Sequence, residues 1–84
     1  MAKNAYKINP LTVEYETKAK NLLKGELKRR GVTYAQLVEK LGDLGFSETE
    51  RNLANKISRG GFTAAFLIQC LEAIGVRELH LHSA

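Results

Sequence analysis

The chain has 84 residues, of which 44% are apolar and 26% charged, and its formal net charge is +4. These values fit one small soluble domain over residues 1–84 and favour an anionic partner, with nucleic acid ahead of a membrane surface. A single cysteine excludes an internal disulfide, and neither a membrane-spanning run nor a secretory signal is visible, so we expect a cytoplasmic protein.

The first predicted element is a long basic helix that follows an N-terminal arm at residues 1–9. Asn9 and Pro10 are typical of the N-cap and first position of a helix, which we expect to run to Arg30. Lysines and arginines crowd its second half, where they suit the helix dipole and could also meet phosphate. Apolar residues at helical spacing predict one buried stripe, which comprises Tyr15, Ala19, Leu22, Leu23 and Leu27.

The second predicted helix is short and amphipathic. Thr33 and Gln36 have the spacing of a capping box at its start, and Gly42 follows its expected last residue, Leu41. The residues expected to face the core are Ala35, Leu37, Val38 and Leu41. Side chains in the first turn of such a helix can contact a phosphate if the helix crosses a nucleic-acid backbone. The candidates there are Tyr34 and Gln36.

A glycine-containing turn leads to the third predicted helix, at residues 47–58. Leu44 and Phe46 in the turn are expected to pack inward, and Ser47 with Glu50 predicts a second capping box. The expected buried side comprises Leu53, Ala54 and Ile57. Two short helices with caps, glycine stops and a short connection indicate a helix-turn-helix.

The exposed side of the third helix carries residue types that read DNA bases. Arginine pairs with guanine edges and asparagine with adenine edges. Asparagine is also a poor helix former, so two of them in one short helix have no local rationale. The side chains concerned are Arg51, Asn52 and Asn55.

The fourth predicted helix begins after the Gly60-Gly61 pair, whose backbone amides could hold a phosphate. Thr63 is its expected N-cap and Gly75 its stop, which closes a helical body at residues 10–75. Its predicted core stripe comprises Ala64, Leu67, Ile68, Leu71 and Ile74, with Phe66 and Cys70 alongside.

The tail at residues 76–84 alternates in the manner of a short strand, which would need a partner strand. A short fifth helix beginning near Arg77 is the alternative. The expected fold is therefore all-α, a compact bundle of four or five helices that contains a helix-turn-helix, with a short C-terminal strand as an option.

Between Leu22 and Val76 the chain resembles the Cro and phage-repressor type of helix-turn-helix domain, the lambda-repressor-like fold. The matching segments are residues 27–33, 37–42, 55–60 and 71–76. The whole chain is also similar to small uncharacterised bacterial proteins of this kind.

This resemblance implies a sequence-specific DNA-binding protein, a small bacterial or phage-type transcriptional regulator that inserts helix 47–58 in the major groove. Double-stranded DNA is the expected partner, and a homodimer would place two copies about 34 Å apart on a near-palindromic site. The implied base contacts are Thr49, Arg51, Asn52 and Asn55. The implied phosphate contacts are Tyr34, Gln36, Lys56, Arg59, Gly60 and Gly61.

An alternative is a protein–protein interaction module that keeps the helix-turn-helix fold without reading bases. Glu48 and Glu50 motivate it, because carboxylates at the start of the third helix would lie near phosphates.

Enzyme chemistry is not expected, and neither a cofactor nor a small-molecule substrate is indicated. Cys70 lies on an apolar stripe, where a buried thiol is inert. His80 and His82 could share one face of a strand, but two ligands are too few for a structural zinc site.

Overall fold

Four α-helices joined by short turns make up the part of the chain that the computed structural model describes, residues 9–81. They are α1 (Pro10–Arg30), α2 (Tyr34–Asp43), α3 (Glu50–Arg59) and α4 (Ala64–Ala73). Residues 9–81 contain no strand, which confirms the all-α prediction. Over the same residues, no helix combines the length and the apolar character needed to cross a membrane.

The ends of α1 are those the sequence predicts. The Asn9 side chain accepts a hydrogen bond from the Leu11 amide at 2.9 Å, and Pro10 opens the helix. Gly31 ends it in the left-handed conformation. The predicted stripe is only partly right, because Leu23 and Leu27 are buried but Tyr15 is exposed. A helix of 21 residues is about twice as long as its ten-residue neighbours, so they cover only part of it.

The capping box of α2 is confirmed, but the predicted end of the helix at Leu41 is wrong. The Gln36 amide donates to Thr33 Oγ1 at 3.1 Å, and the Thr33 amide donates to Gln36 Oε1 at 2.9 Å. The helix continues through Gly42 to Asp43. Gly45 adopts the left-handed conformation instead, and the Phe46 amide donates back to the Leu41 carbonyl at 2.9 Å. The chain therefore turns three residues later than the first glycine suggested.

The predicted start of α3 at Ser47 is also wrong. Thr49 is the N-cap, and its Oγ1 accepts from the Asn52 amide at 3.1 Å. The helix runs from Glu50 to Arg59 rather than over 47–58. The later start leaves Glu48 outside the helix, from where its carboxylate reaches Lys56.

The N-cap of α4 is Thr63, as predicted, and its Oγ1 accepts from the Phe66 amide at 3.0 Å. The predicted core stripe is partly right, because Leu71 and Ile74 are buried together with Phe66 and Cys70, but Ala64 and Ile68 are exposed. Ile68 is 54% exposed. The larger Phe66 ring is buried instead, and the Phe62 ring lies against it with a centroid separation of 5.4 Å.

All four helices contribute to one apolar core. Its buried members are Leu23, Leu27, Leu37, Leu41, Leu53, Ile57, Phe66, Cys70, Leu71 and Ile74. Leu44 and Phe46 do not join it, contrary to prediction, and both are exposed. Residues 76–81 of the tail form neither the predicted strand nor a fifth helix, although Val76 and Leu79 pack against the core. His82 and the arm before Asn9 lie outside the described residues.

The backbone of α1 comes close to the end of α3 where the two elements cross. Gly60 is buried there with φ of 74°, and a Cβ on it would lie 2.8 Å from the Glu16 carbonyl oxygen. Nearby, Lys20 Nζ donates to the Ser58 carbonyl at 3.3 Å. Both contacts fix the C-terminal end of α3 against the long helix.

We predict that Gly60→Ala destabilises the domain more than Gly31→Ala does. Both glycines end helices in the left-handed conformation, but only Gly60 has a neighbour within 4 Å of the added Cβ. The left-handed conformation costs an alanine about 1–2 kcal/mol, and the overpacked contact with Glu16 adds roughly 1–3 kcal/mol. Urea denaturation of the two variants measures the difference, and equal losses would show that the α1–α3 crossing can relax.

Burial raises the pKa of the Cys70 thiol to about 12, and the nearby Glu48 carboxylate contributes in the same direction. We therefore expect iodoacetamide to label Cys70 slowly in the native protein near pH 8 and rapidly in urea. Because the thiol pKa is higher in the folded state, the unfolded chain ionises first as the pH rises above the ordinary thiol pKa. The free energy of unfolding therefore falls between pH 9 and pH 12. Equal labelling rates with and without urea would place the thiol at the surface.

Candidate nucleic-acid interface

The exposed face of α3 is centred on Asn55. Residues three or four positions apart lie on the same side of a helix, which groups Asn55 with Arg51, Asn52, Ser58 and Arg59. All five are exposed. The face therefore presents two guanidinium groups, two carboxamides and one hydroxyl. The sequence prediction did not include Ser58, although its position three residues after Asn55 indicates the same side of the helix.

The opposite face of α3 is anchored in the core. Leu53 and Ile57 are completely buried, and α3 packs against both α1 and α2. Because two buried side chains one turn apart fix the rotation of a helix, the polar face has one orientation relative to the rest of the domain.

The polar face of α3 carries no carboxylate. Within residues 9–81, neither Arg51 nor Arg59 forms an ion pair, so both guanidinium groups are available to a ligand. Glu50 is exposed but lies about 140° around the helix from Asn55, and it occupies the first turn, where an acid suits the dipole. The donors and acceptors of this face match those of base edges in the major groove.

Thr49, a predicted base contact, lies at the N-terminal end of this face. Its hydroxyl oxygen caps α3 by accepting from the Asn52 amide. Its hydrogen and one lone pair remain for other hydrogen bonds. Thr49 therefore has a structural role as the N-cap of α3, in addition to the predicted base contact.

The two candidates on α2 lie in its first turn, as predicted. Gln36 Oε1 is occupied by the capping box, so its carboxamide nitrogen is the group left to donate. Tyr34 is half-buried against the core, and burial raises the pKa of its hydroxyl, so it stays neutral. Both residues can therefore offer a neutral donor but no charge.

Lys56 has partners inside the protein that the sequence did not reveal. Its Nζ lies 2.5 Å from Glu48 Oε2 and 5.0 Å from the centroid of the Phe66 ring. The Glu48 side chain is largely buried, so this pair is better shielded from water than a surface pair. A phosphate contact by Lys56 would have to compete with Glu48.

A shallow cleft joins the end of α3 to the start of α4. Its lining residues are Lys56, Arg59, Gly61, Phe62, Thr63 and Phe66. The partial positive charge of the α4 N-terminus faces this region, and Arg59 supplies a full charge at its edge. Three predicted phosphate contacts, Lys56, Arg59 and Gly61, are thus brought together.

The two glycines between α3 and α4 have different roles. Gly60 is buried and its amide donates to the Ile57 carbonyl at 3.1 Å, so it serves the helix end rather than an open anion site. Gly61 is exposed, but a Cβ there would lie 3.3 Å from Glu16 Oε2. A carboxylate beside Gly61 opposes an anion there, and Arg59 is therefore the strongest phosphate candidate at this junction.

A second basic region lies at the end of α1, where Arg29 and Arg30 share one acid. Glu26 is buried, and its carboxylate lies 2.9 Å from Arg29 Nη2 and 3.5 Å from Arg30 Nε. This acid partly neutralises the two arginines, so the charge here is weaker than the sequence suggests. Residues 9–81 contain no group of three His, Cys, Asp or Glu side chains placed to hold a metal.

Comparison with curated proteins and with solved structures finds no match. Comparison with protein families matches residues 15–79 to the family described as Domain of unknown function (DUF6471). The matched segment includes most of α1 and all of α2, α3 and α4. Because it covers well over half of the sequence, the chain belongs to the DUF6471 family.

Proposed function

We propose that this chain binds double-stranded DNA in a sequence-specific manner, as a small helix-turn-helix transcriptional regulator. The observation that carries the proposal is the exposed face of α3, where Arg51, Asn52 and Asn55 lie together with no carboxylate among them. The resemblance to Cro and phage-repressor domains supports the same function. A net charge of +4 favours association with a polyanion.

In the proposed complex α3 lies in the major groove. A ten-residue helix is about 15 Å long, and B-DNA admits one α-helix in this groove. Arg51 would donate to a guanine edge, and Asn52 and Asn55 would pair with adenine edges. Thr49 at the N-cap would add one hydroxyl donor.

Phosphate contacts would come from both sides of α3. On one side, Tyr34 and Gln36 in the first turn of α2 would donate to one strand. On the other, Arg59 would contact the opposite backbone beside the start of α4. Lys56 would join only when it is released from Glu48.

The proposed functional unit is a homodimer. A two-fold axis would relate two α3 helices and place them about 34 Å apart on successive major grooves. The site would then be a near-palindrome whose half-site spacing reports the dimer geometry.

Selection from a pool of random duplex DNA at near-physiological salt tests the proposal directly. We expect enrichment of a near-palindromic sequence among the retained duplexes. Retention without enrichment would indicate binding through phosphates alone. No retention would contradict DNA binding and favour the protein-interaction alternative.

On the enriched site, we predict that Arg51→Ala and Asn55→Ala each weaken binding by about 1–3 kcal/mol. Each removes one bidentate base contact, and both side chains are exposed, so the fold should be unchanged. Fluorescence anisotropy measures the affinity, and circular dichroism verifies the helices.

Lys40→Ala is the matched control, because Lys40 is an exposed cation near the end of α2 and is not among the proposed DNA contacts. It removes the same charge as Arg51→Ala. If Lys40→Ala weakened binding as much as Arg51→Ala, base reading by α3 would be wrong and only general electrostatics would remain.

A protein-interaction module is the second candidate, and one observation favours it. Leu44 and Phe46 are exposed in the turn directly before α3. Apolar side chains on the surface of a small domain are typical of contacts with another protein. Loss of one stoichiometric protein partner on Phe46→Ser, in a chain that retains no DNA, would support this alternative.

A further inference from the structure

The first half of α1 leaves large apolar side chains in solvent. Leu11 is 62% exposed and Tyr15 is 66% exposed. Lys18 and Leu22 continue the same side of the helix, so the four positions are separated by four, three and four residues. This spacing is typical of the seam by which two helices pack together. We call these four residues the α1 seam.

The surface beside the seam is open. An open groove runs along α1 past Leu22 and Gly25 to His80 and Leu81 in the tail. No atom lies within 4 Å of where a Cβ on Gly25 would be, so the helix backbone there can be approached closely. Leu81 is itself exposed and extends the apolar surface next to Leu22.

Charge is distributed unevenly along α1. Residues 10–17 carry two acids, Glu14 and Glu16, and no base. Residues 18–30 carry six basic side chains and one acid, Glu26. Two copies of α1 packed in parallel would place like charges together, whereas an antiparallel pair would bring Glu14 of each copy near Lys18 of the other.

We propose that the α1 seam binds the same seam of a second copy of this chain, with the two helices antiparallel. A two-fold axis between Glu16 and Thr17 places Leu11 opposite Leu22 of the second copy. It also places Tyr15 opposite Lys18, and each contact occurs twice. Lys18 Nζ lies 5.5 Å from the Tyr15 ring centroid within one chain, so a cation–π contact between copies uses a pairing that these side chains already make.

A second copy fits this surface because the seam is complementary to itself. The apolar residues Leu11 and Leu22 meet each other, and Tyr15 meets the cation Lys18. Glu14 also comes to the level of Lys18 of the other copy. This interface rests on the dimer of the proposed function but not on any contact with DNA.

Sedimentation equilibrium without DNA tests the interface across the micromolar range. We expect a monomer–dimer equilibrium that Leu11→Glu and Leu22→Glu each weaken at least about tenfold, because each buries a charge against an apolar partner. A wild-type chain that stays monomeric throughout would overturn the proposal.

Val13→Glu is the matched control. Val13 is 51% exposed on the same part of α1, but it lies about 200° around the helix from Leu11. The variant introduces the same charge away from the seam, so dimerisation should be unchanged. A dimer weakened equally by all three variants would place the interface elsewhere or show a general charge effect.

Disulfide trapping determines the direction of packing. Leu11 and Leu22 are about 16 Å apart along one helix. In a mixture of Leu11→Cys and Leu22→Cys chains, the antiparallel dimer yields mixed disulfides, whereas a parallel dimer yields only disulfides between identical chains. Cys70 is fully buried and should not compete. Predominant bonding between identical chains would overturn the antiparallel arrangement.

These experiments separate the interface from the DNA function. A dimer that is sensitive to Leu11→Glu but retains no duplex DNA would support the interface and contradict the proposed function. Retention of an enriched single half-site by a chain that stays monomeric would support DNA binding and contradict the interface.

Discussion

The position of α3 depends on one close backbone contact, the approach of the Glu16 carbonyl to Gly60. No side chain fits between them, since a Cβ would lie 2.8 Å from that oxygen. Gly60 also needs the left-handed conformation to end α3. One residue therefore ends α3 and lets α1 pack across it. Any larger residue would force the two helices apart and turn the polar face of α3 relative to α2, although no residue of that face would have changed.

The acids of this basic chain are placed so that they leave the polar face of α3 uncovered. Glu48 pairs with Lys56 beside the core, and Glu26 lies buried between Arg29 and Arg30. Both pairs neutralise cations that the sequence counts as free. The positive charge that remains on the polar face of α3 is consequently carried by Arg51 and Arg59, with Lys20 beside the C-terminal end of the helix. The net charge of +4 alone does not show this uneven arrangement of charge.

The sequence predicted local features better than those that depend on distant contacts. The caps at Asn9, Thr33 and Thr63 were correct because a cap is formed by residues two or three positions apart. The start of α3 was wrong because Ser47 and Thr49 both suit an N-cap, and nothing local decides between them. The buried face of α4 was only partly right, for another reason. Its sequence is apolar almost all round, so packing against the other helices, rather than helical period, selects which residues are buried.

The residues of the candidate site show the same difference between local features and features that depend on distant contacts. Arg51, Asn52 and Asn55 could be placed on one exposed face because Leu53 and Ile57 set the helical phase. The pairing of Lys56 with Glu48 and the burial of Gly60 were not visible, since the first joins residues on either side of a helix start and the second requires α1. Both findings remove phosphate donors from the junction of α3 and α4. Arg59 is left as its unpaired cation within residues 9–81, one position from the contact that fixes the helix. In the proposed DNA complex, the Arg59 backbone would lie next to the contact between Gly60 and Glu16, so a small change in the tilt of α3 about that contact would move the Arg59 backbone least.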